Sequence, residues 1–338
     1  MLFLGLPAEL ESEGFDRDDI ELPADQLALL DAVFAANPRT VVVLSNGGVV
    51  RLGGVAERAA AVLEGWLLGQ AGGTAVADVL YGAVNPSGRL AETIPHRLQD
   101  SPAYLDFPGE HGHVRYGEGV FVGYRWYDAR DLDVAYAFGH GLSYTTFDYS
   151  DLSVTAQADG LSVRVTLTNT GERNGREVVQ VYTGLAASEV ARPPRELKSF
   201  ASVALAVGES RVVKLAVRRA DLACWDVRTG TWVVEGGSYA VEVGASSRDI
   251  RLQTTATVVG DEVKVPLSLD SSVREVMADE EAARVVRPAL SRFLDDPEML
   301  KLLESAPVGR IVGFPGTGVS PAEVGALLDH INTERGIG

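Results

Sequence analysis

Near residue 149 the hydrophobic period of this chain changes from about 3.6 to 2, so it must be read as more than one architecture in series. Downstream of the change, Leu161, Val163, Val165 and Leu167 alternate with Ser162, Arg164 and Thr166. Val178 to Tyr182, Val212 to Val217 and Tyr239 to Val243 repeat the signal. Turn residues lie between them at Asn169 to Gly171, Arg192 to Pro194, Gly208-Glu209 and Gly236-Gly237. Short alternating strands with such punctuation predict an immunoglobulin-like β-sandwich over about 149–260.

Upstream, residues 1–148 read as α/β. Leu2 to Leu6 is a short apolar run stopped by Pro7. A helix over 24–36 follows, with Leu27, Leu30, Val33 and Phe34 on one face, and Asn37-Pro38 ends it. Val41 to Ser45 is a second buried strand, stopped by Asn46-Gly47-Gly48. Strand, helix, strand predicts a βαβ unit and a mostly parallel sheet. Ala61 to Trp66 is a further apolar stretch, and a helix through Ala75, Val76, Val79 and Leu80 closes at Gly82. Asn85-Pro86-Ser87-Gly88 is a turn, after which 89–147 is irregular and rich in aromatics, Gly and Pro. Stretches of that length serve function or wrap another domain.

Residues 264–338 read as a helical extension. Ser272 to Glu275 and Ser320 to Glu323 are capping boxes, and Asp296-Pro297 places a cap before a first-turn proline. Val324, Leu327, Leu328 and Ile331 give one apolar helical face. The fold class predicted is therefore a partial, mostly parallel α/β domain, then a β-sandwich, then a short helical tail.

With 46% apolar residues the 338-residue chain has ample material for packed cores. A net charge of −17 makes it a poor nucleic-acid binder, because phosphate contacts need clustered Lys and Arg. No segment approaches the ~18 apolar residues of a membrane span. Met1 to Leu6 lacks the basic leader of a signal peptide, so a cytoplasmic location is expected. The one cysteine, Cys224, reads as a small apolar residue beside Trp225 and excludes an intrachain disulfide framework.

Carboxylates are the main reactive resource; neither a metal nor a cofactor is expected. His111 and His113 lie in a Gly-rich loop without a nearby third ligand. Gly69, Gly72 and Gly73 precede a helix but lack the lysine and spacing of a phosphate loop, and close strand–helix packing accounts for them. There is no nucleophile elbow around Ser143. Glu11, Glu13, Asp16 and Arg17 remain, just after the first strand, where ligands gather in parallel sheets. Gly14 lets the backbone turn there, and Arg17 can hold Asp16 or the loop backbone. A loop glutamate so held can donate a proton; a solvated acidic loop is the plainer alternative.

Five ordered blocks carry a resemblance: Glu13-Gly14-Phe15-Asp16-Arg17 leading to Leu22-Pro23; Val41 to Gly47; Gly69 to Gly82 with Asn85 to Leu90; Tyr116 to Asp128; and Phe138 to Phe147. Over about 1–258 the chain resembles glycoside hydrolase family 3, the β-glucosidase and β-xylosidase family, and its β-region looks like that family's fibronectin type III-like domain. The resemblance implies a retaining mechanism on a β-linked glucoside or related sugar, with two carboxylates about 5–5.5 Å apart. Glu13 matches the general acid/base, with Glu11 as the fallback and Asp16 and Arg17 in support; Tyr124 and Trp126 are candidate sugar contacts or packing aromatics. The partner nucleophile implied is an aspartate on a separate barrel domain. Met1 falls within a strand of the α/β domain, so the barrel is expected outside this chain, and the chain alone is expected to hydrolyse little. A non-catalytic sugar- or protein-binding module is the alternative.

Overall fold

The computed structural model describes residues 1–294, 297–315 and 317–337. The molecule divides into two units, Met1–Leu222 with Glu235–Val259, and Ala223–Val234 with Gly260–Gly338.

The first unit opens with strand β1 (Leu2–Gly5), helix α1 (Ala24–Ala36) and strands β2 (Val41–Ser45) and β3 (Ala61–Glu64). The three strands are parallel in the order β1-β2-β3, with Leu4 opposite Leu44 and Val42 opposite Val62. β2 is central, which is why it is the apolar run with no polar interruption. Its Val42 and Leu44 pack with Leu4 of β1 and with Leu30 and Phe34 of α1, and Leu22, Val50, Leu52 and Ile94 complete that core. α1 ends at Asn37, which is extended as a residue before proline should be. Gln26 closes the free edge of β1: its Nε2 donates to the Gly5 carbonyl at 2.8 Å, and the Gly5 N–H donates back to its Oε1 at 3.0 Å. Residue 5 must be glycine, because a Cβ there would overlap the Ser45 carbonyl oxygen. Helix α2 (Gly72–Leu80) is followed by Gly82 at φ +74°, the left-handed stop its position predicted.

The irregular stretch contains a six-residue helix, α3 (Tyr124–Ala129), that no periodicity announces. A helix this short has no stability of its own and is held by tertiary bonds. Asp128 binds Arg248 at 3.0 Å and Arg195 at 3.4 Å, while the Tyr124 hydroxyl accepts the Leu197 N–H at 2.7 Å.

Those partners belong to the sandwich, formed by β4 (Phe147–Gln157), β5 (Gly160–Asn169), β6 (Gly175–Gly184), β7 (Glu196–Leu205) and β8 (Ser210–Arg218) and, after the hairpin β9 (Cys224–Asp226) and β10 (Thr231–Val233), by β11 (Gly237–Ser246) and β12 (Asp249–Val258). Two antiparallel sheets result, β4-β5-β8 and β12-β11-β6-β7. The alternating residues Leu161, Val163, Val165 and Leu167 are all buried, as are Val213, Leu215 and Val217 on β8. β4 escapes a period-2 reading because its register breaks between Ser150 and Ser153, with Asp151 at φ +53°. Arg89 and Glu177, both under a tenth exposed, pair at 2.7 Å and tie the turn after α2 to β6.

The second unit contains the β9–β10 hairpin, where Trp225 faces Trp232 edge to face at 5.6 Å. Its helices are α4 (Val273–Ala278), α5 (Glu280–Leu294), α6 (Pro297–Leu303), α7 (Val308–Val312) and α8 (Pro321–Glu334). Val276, Leu290, Ile311, Leu328 and Ile331 share one core. Both capping boxes form: Ser272 with Glu275, and Ser320 with Glu323. Of the expected Asp296-Pro297 cap, Pro297 opens α6 and Asp296 lies outside the described residues. No helix among the described residues is long and apolar enough to cross a membrane.

Candidate functional site

The loops leaving the carboxyl ends of β1, β2 and β3 converge, as expected for a parallel sheet. After β1 the chain turns at Pro7, whose carbonyl accepts the N–H groups of Leu10 and Glu11. Ser12 and Phe15 then form an isolated antiparallel bridge, which puts Glu13 and Gly14 at the tip of a tight turn. Glu13 is exposed and has no hydrogen bond or ion pair among the described residues.

Glu11, two residues earlier, is in the opposite condition. Its Oε2 accepts the Gly47 N–H at 2.5 Å and its Oε1 the Gly48 N–H at 2.8 Å, in the turn that follows β2. Arg17 Nη1 donates to the Val49 carbonyl at 3.1 Å and stands 3.8 Å from Glu11 Oε1. Arg17 takes neither partner expected for it, Asp16 or the backbone of its own loop, but the Val49 carbonyl beyond the turn after β2; Asp16 is exposed, with no hydrogen bond or ion pair among the described residues. These are charge-assisted bonds, the stronger class.

The turn after β2 is rounded by Asn46, fully buried, whose Nδ2 donates to the Gly48 carbonyl at 2.9 Å. After β3, Glu64 accepts the Trp66 N–H at 2.9 Å, and Trp66 adopts φ +53°, a conformation rare for a bulky residue. Burial pushes the Glu64 carboxyl above its ordinary range, against the opposing pull of the Trp66 N–H and Asn46; the Glu92 charge adds to the rise. Glu64 and Trp66 carry no sequence signal, since a lone Glu ending an apolar strand reads as a solvated terminus.

Leu10, Phe15 and Leu67 are exposed around these turns. The residues following the acidic loop line a cleft of about 380 Å³ with Arg51, Arg97 and Tyr104. A larger cleft, about 750 Å³, lies between β7 and β8 and includes no residue of the acidic loop.

The two aromatic candidates both make packing contacts. Tyr124 is buried, stacks on Phe138 with ring centroids 4.8 Å apart and meets Tyr182 edge to face at 6.0 Å, which leaves it little surface to offer a sugar. Trp126 donates its Nε1 to the Asp100 carbonyl at 3.0 Å and is covered by Arg130 at 4.6 Å. His111 and His113 sit in a tight hairpin closed by reciprocal Glu110–His113 backbone bonds. The glycine explanation holds only in part: a Cβ at Gly72 would press on Leu68, but Gly69 and Gly73 have open space. Cys224 is half-buried, its Sγ 3.7 Å from the Val233 carbonyl oxygen.

Comparison with known proteins converges. Residues 1–144 match the model of the glycosyl hydrolase family 3 C-terminal domain, and 177–247 match the fibronectin type III-like domain. An exo-α-(1→6)-L-arabinopyranosidase of Bifidobacterium longum is 44% identical over 94% of this chain and 43% of its own length. Thermostable β-glucosidase B of Acetivibrio thermocellus is 40% identical over 98% of this chain and 46% of its own. The crystal structure of the Bifidobacterium adolescentis family 3 β-glucosidase superposes with a TM-score of 0.80 at 48% identity, over 84% of this chain and 43% of that one. The chain thus spans less than half the length of these relatives.

Proposed function

The chain belongs to glycosyl hydrolase family 3, as a C-terminal portion, and on that premise we propose that it supplies the general acid/base glutamate, Glu13, of a retaining glycosidase whose nucleophile stands on a barrel domain outside these residues. In the first step the Glu13 carboxylic acid gives its proton to the glycosidic oxygen as the C–O bond breaks and the nucleophile carboxylate bonds the anomeric carbon. In the second, the Glu13 carboxylate takes a proton from water as that water's oxygen attacks the same carbon and releases the nucleophile.

The observation that carries this assignment is the contrast within one loop. Both Glu11 oxygens already accept backbone N–H groups, whereas Glu13 is exposed, without a partner among the described residues and at the tip of its turn. A proton donor needs a free oxygen that the substrate can reach. The substrate proposed is a β-linked glucoside or a related sugar; the arabinopyranosidase name of one relative widens the class that has to be tested.

The test is turnover of nitrophenyl β-D-glucopyranoside and α-L-arabinopyranoside by the chain with a family 3 barrel domain supplied. Glu13→Gln is expected to lower kcat by roughly 10²–10⁴-fold, with azide restoring turnover of a substrate whose leaving group needs no proton. Activity surviving Glu13→Gln, or azide rescue of Glu11→Gln instead, overturns the assignment. Failure of the chain to support turnover while it still binds sugar would favour a binding module.

A further inference from the structure

The contacts of Glu11 have a meaning of their own. The backbone N–H groups of Gly47 and Gly48 point to one carboxylate from a different strand's turn, 36 and 37 residues away in sequence. Arg17, at the other end of the same loop, reaches the next carbonyl, Val49, and approaches Glu11. Residues 11 and 17 are therefore both fastened to 47–49, and the segment between them holds Glu13. A side chain at residue 47 would crowd the arrangement, because its Cβ would stand 3.1 Å from Glu11 Oε2 and from Leu67 Cδ1.

We infer that Glu11 is a positioning residue: its carboxylate clamps the loop after β1 to the glycine turn after β2, and so fixes where Glu13 presents its carboxyl. This deepens the assignment of Glu13 made above and rests on it for its catalytic meaning, though not for its geometry. The chemistry favours a glutamate at this position. Two donors need two acceptor oxygens; an amide offers one, and its NH₂ would face a donor. An aspartate is one methylene shorter and reaches the turn only if the loop follows. The Glu11 side chain is only about a fifth exposed, and both of its oxygens are taken up by the turn. Proton donation to a leaving group depends on placement to within about an ångström, and misplacement of that order costs about 10²-fold.

The clamp can be read without any turnover, on the 15N-labelled chain. The amides of Gly47 and Gly48 are expected to be protected from hydrogen exchange and residues 12–16 to be ordered. Glu11→Gln should speed Gly47 and Gly48 exchange by about tenfold or more and lower the order parameters of 12–16 below about 0.6, while the melting temperature of the unit moves little. Glu11→Asp should fall between the two. Unchanged exchange in Glu11→Gln overturns the clamp. Loosening of 12–16 only in step with global unfolding makes Glu11 merely structural, and also overturns it. In any preparation where Glu13→Gln abolishes turnover, Glu11→Gln should lower kcat about 10- to 100-fold with KM nearly constant, and Glu11→Asp should recover part of it. Full kcat in Glu11→Gln overturns the positioning role and leaves the acid/base assignment standing. Turnover that survives Glu13→Gln defeats the assignment and leaves the exchange result valid.

Discussion

The carboxylates where the α/β part meets the sandwich and those at the carboxyl ends of the parallel strands are used in opposite ways. Asp128 is nearly buried between two arginines, and Glu177 is buried against one. Glu13 stands exposed with no partner among the described residues, and Glu64 is half-buried with its carboxyl pushed up by desolvation. A charge that is fully paired contributes to holding segments together and has nothing left to offer a substrate. A carboxyl that is bare, or pushed up by burial, contributes little to stability and retains its chemistry. Glu11 lies between these cases, spending its charge on placing its neighbour.

Four substitutions can break or sharpen that contrast. Glu177→Ala leaves Arg89 buried without its partner and should cost about 3–5 kcal/mol in chemical denaturation; a loss below about 1 kcal/mol would remove the seam from the comparison. Asp128→Asn keeps the shape but loses the charge shared by Arg195 and Arg248, and about 1.5–3 kcal/mol is expected by the same measurement.

Glu64→Gln should act with a definite pH sign. A carboxyl whose folded-state value is raised, here mainly by burial, leaves stability intact at low pH and costs stability as the pH climbs through that value. The variant should melt above the parent at pH 7 and converge with it below the ordinary glutamate range. Melting that diverges toward acid pH would contradict the burial account. Glu13→Gln should change stability by no more than about 0.5 kcal/mol, as for an exposed side chain without partners. A larger change would mean that Glu13 has structural work, and the contrast with Asp128 would fail.

Much of the architecture is legible in the residues themselves. The alternation of Leu161 to Leu167 and the unbroken apolar run Val41 to Leu44 are direct records of one-faced and two-faced burial. Ser272 and Ser320 cap their helices through bonds made within four residues, so local sequence suffices. α3 was not legible, because its stability comes from Arg195, Arg248 and Leu197, distant in the chain. The same holds for Tyr124, whose aromatic character is equally suited to a sugar face and to a stack on Phe138.

The acidic loop divides along the same line. Its sequence alone placed Glu11, Glu13, Asp16 and Arg17 after the first parallel strand, and the motif around Glu13 carried the family resemblance. Two glutamates two residues apart carry the same charge and differ in rank only through the resemblance, and nothing local says which of them has donors to hold it. The tertiary structure decided that, because only the packing of β1 beside β2 brings the Gly47 and Gly48 N–H groups to Glu11 and leaves Glu13 without a donor among the described residues.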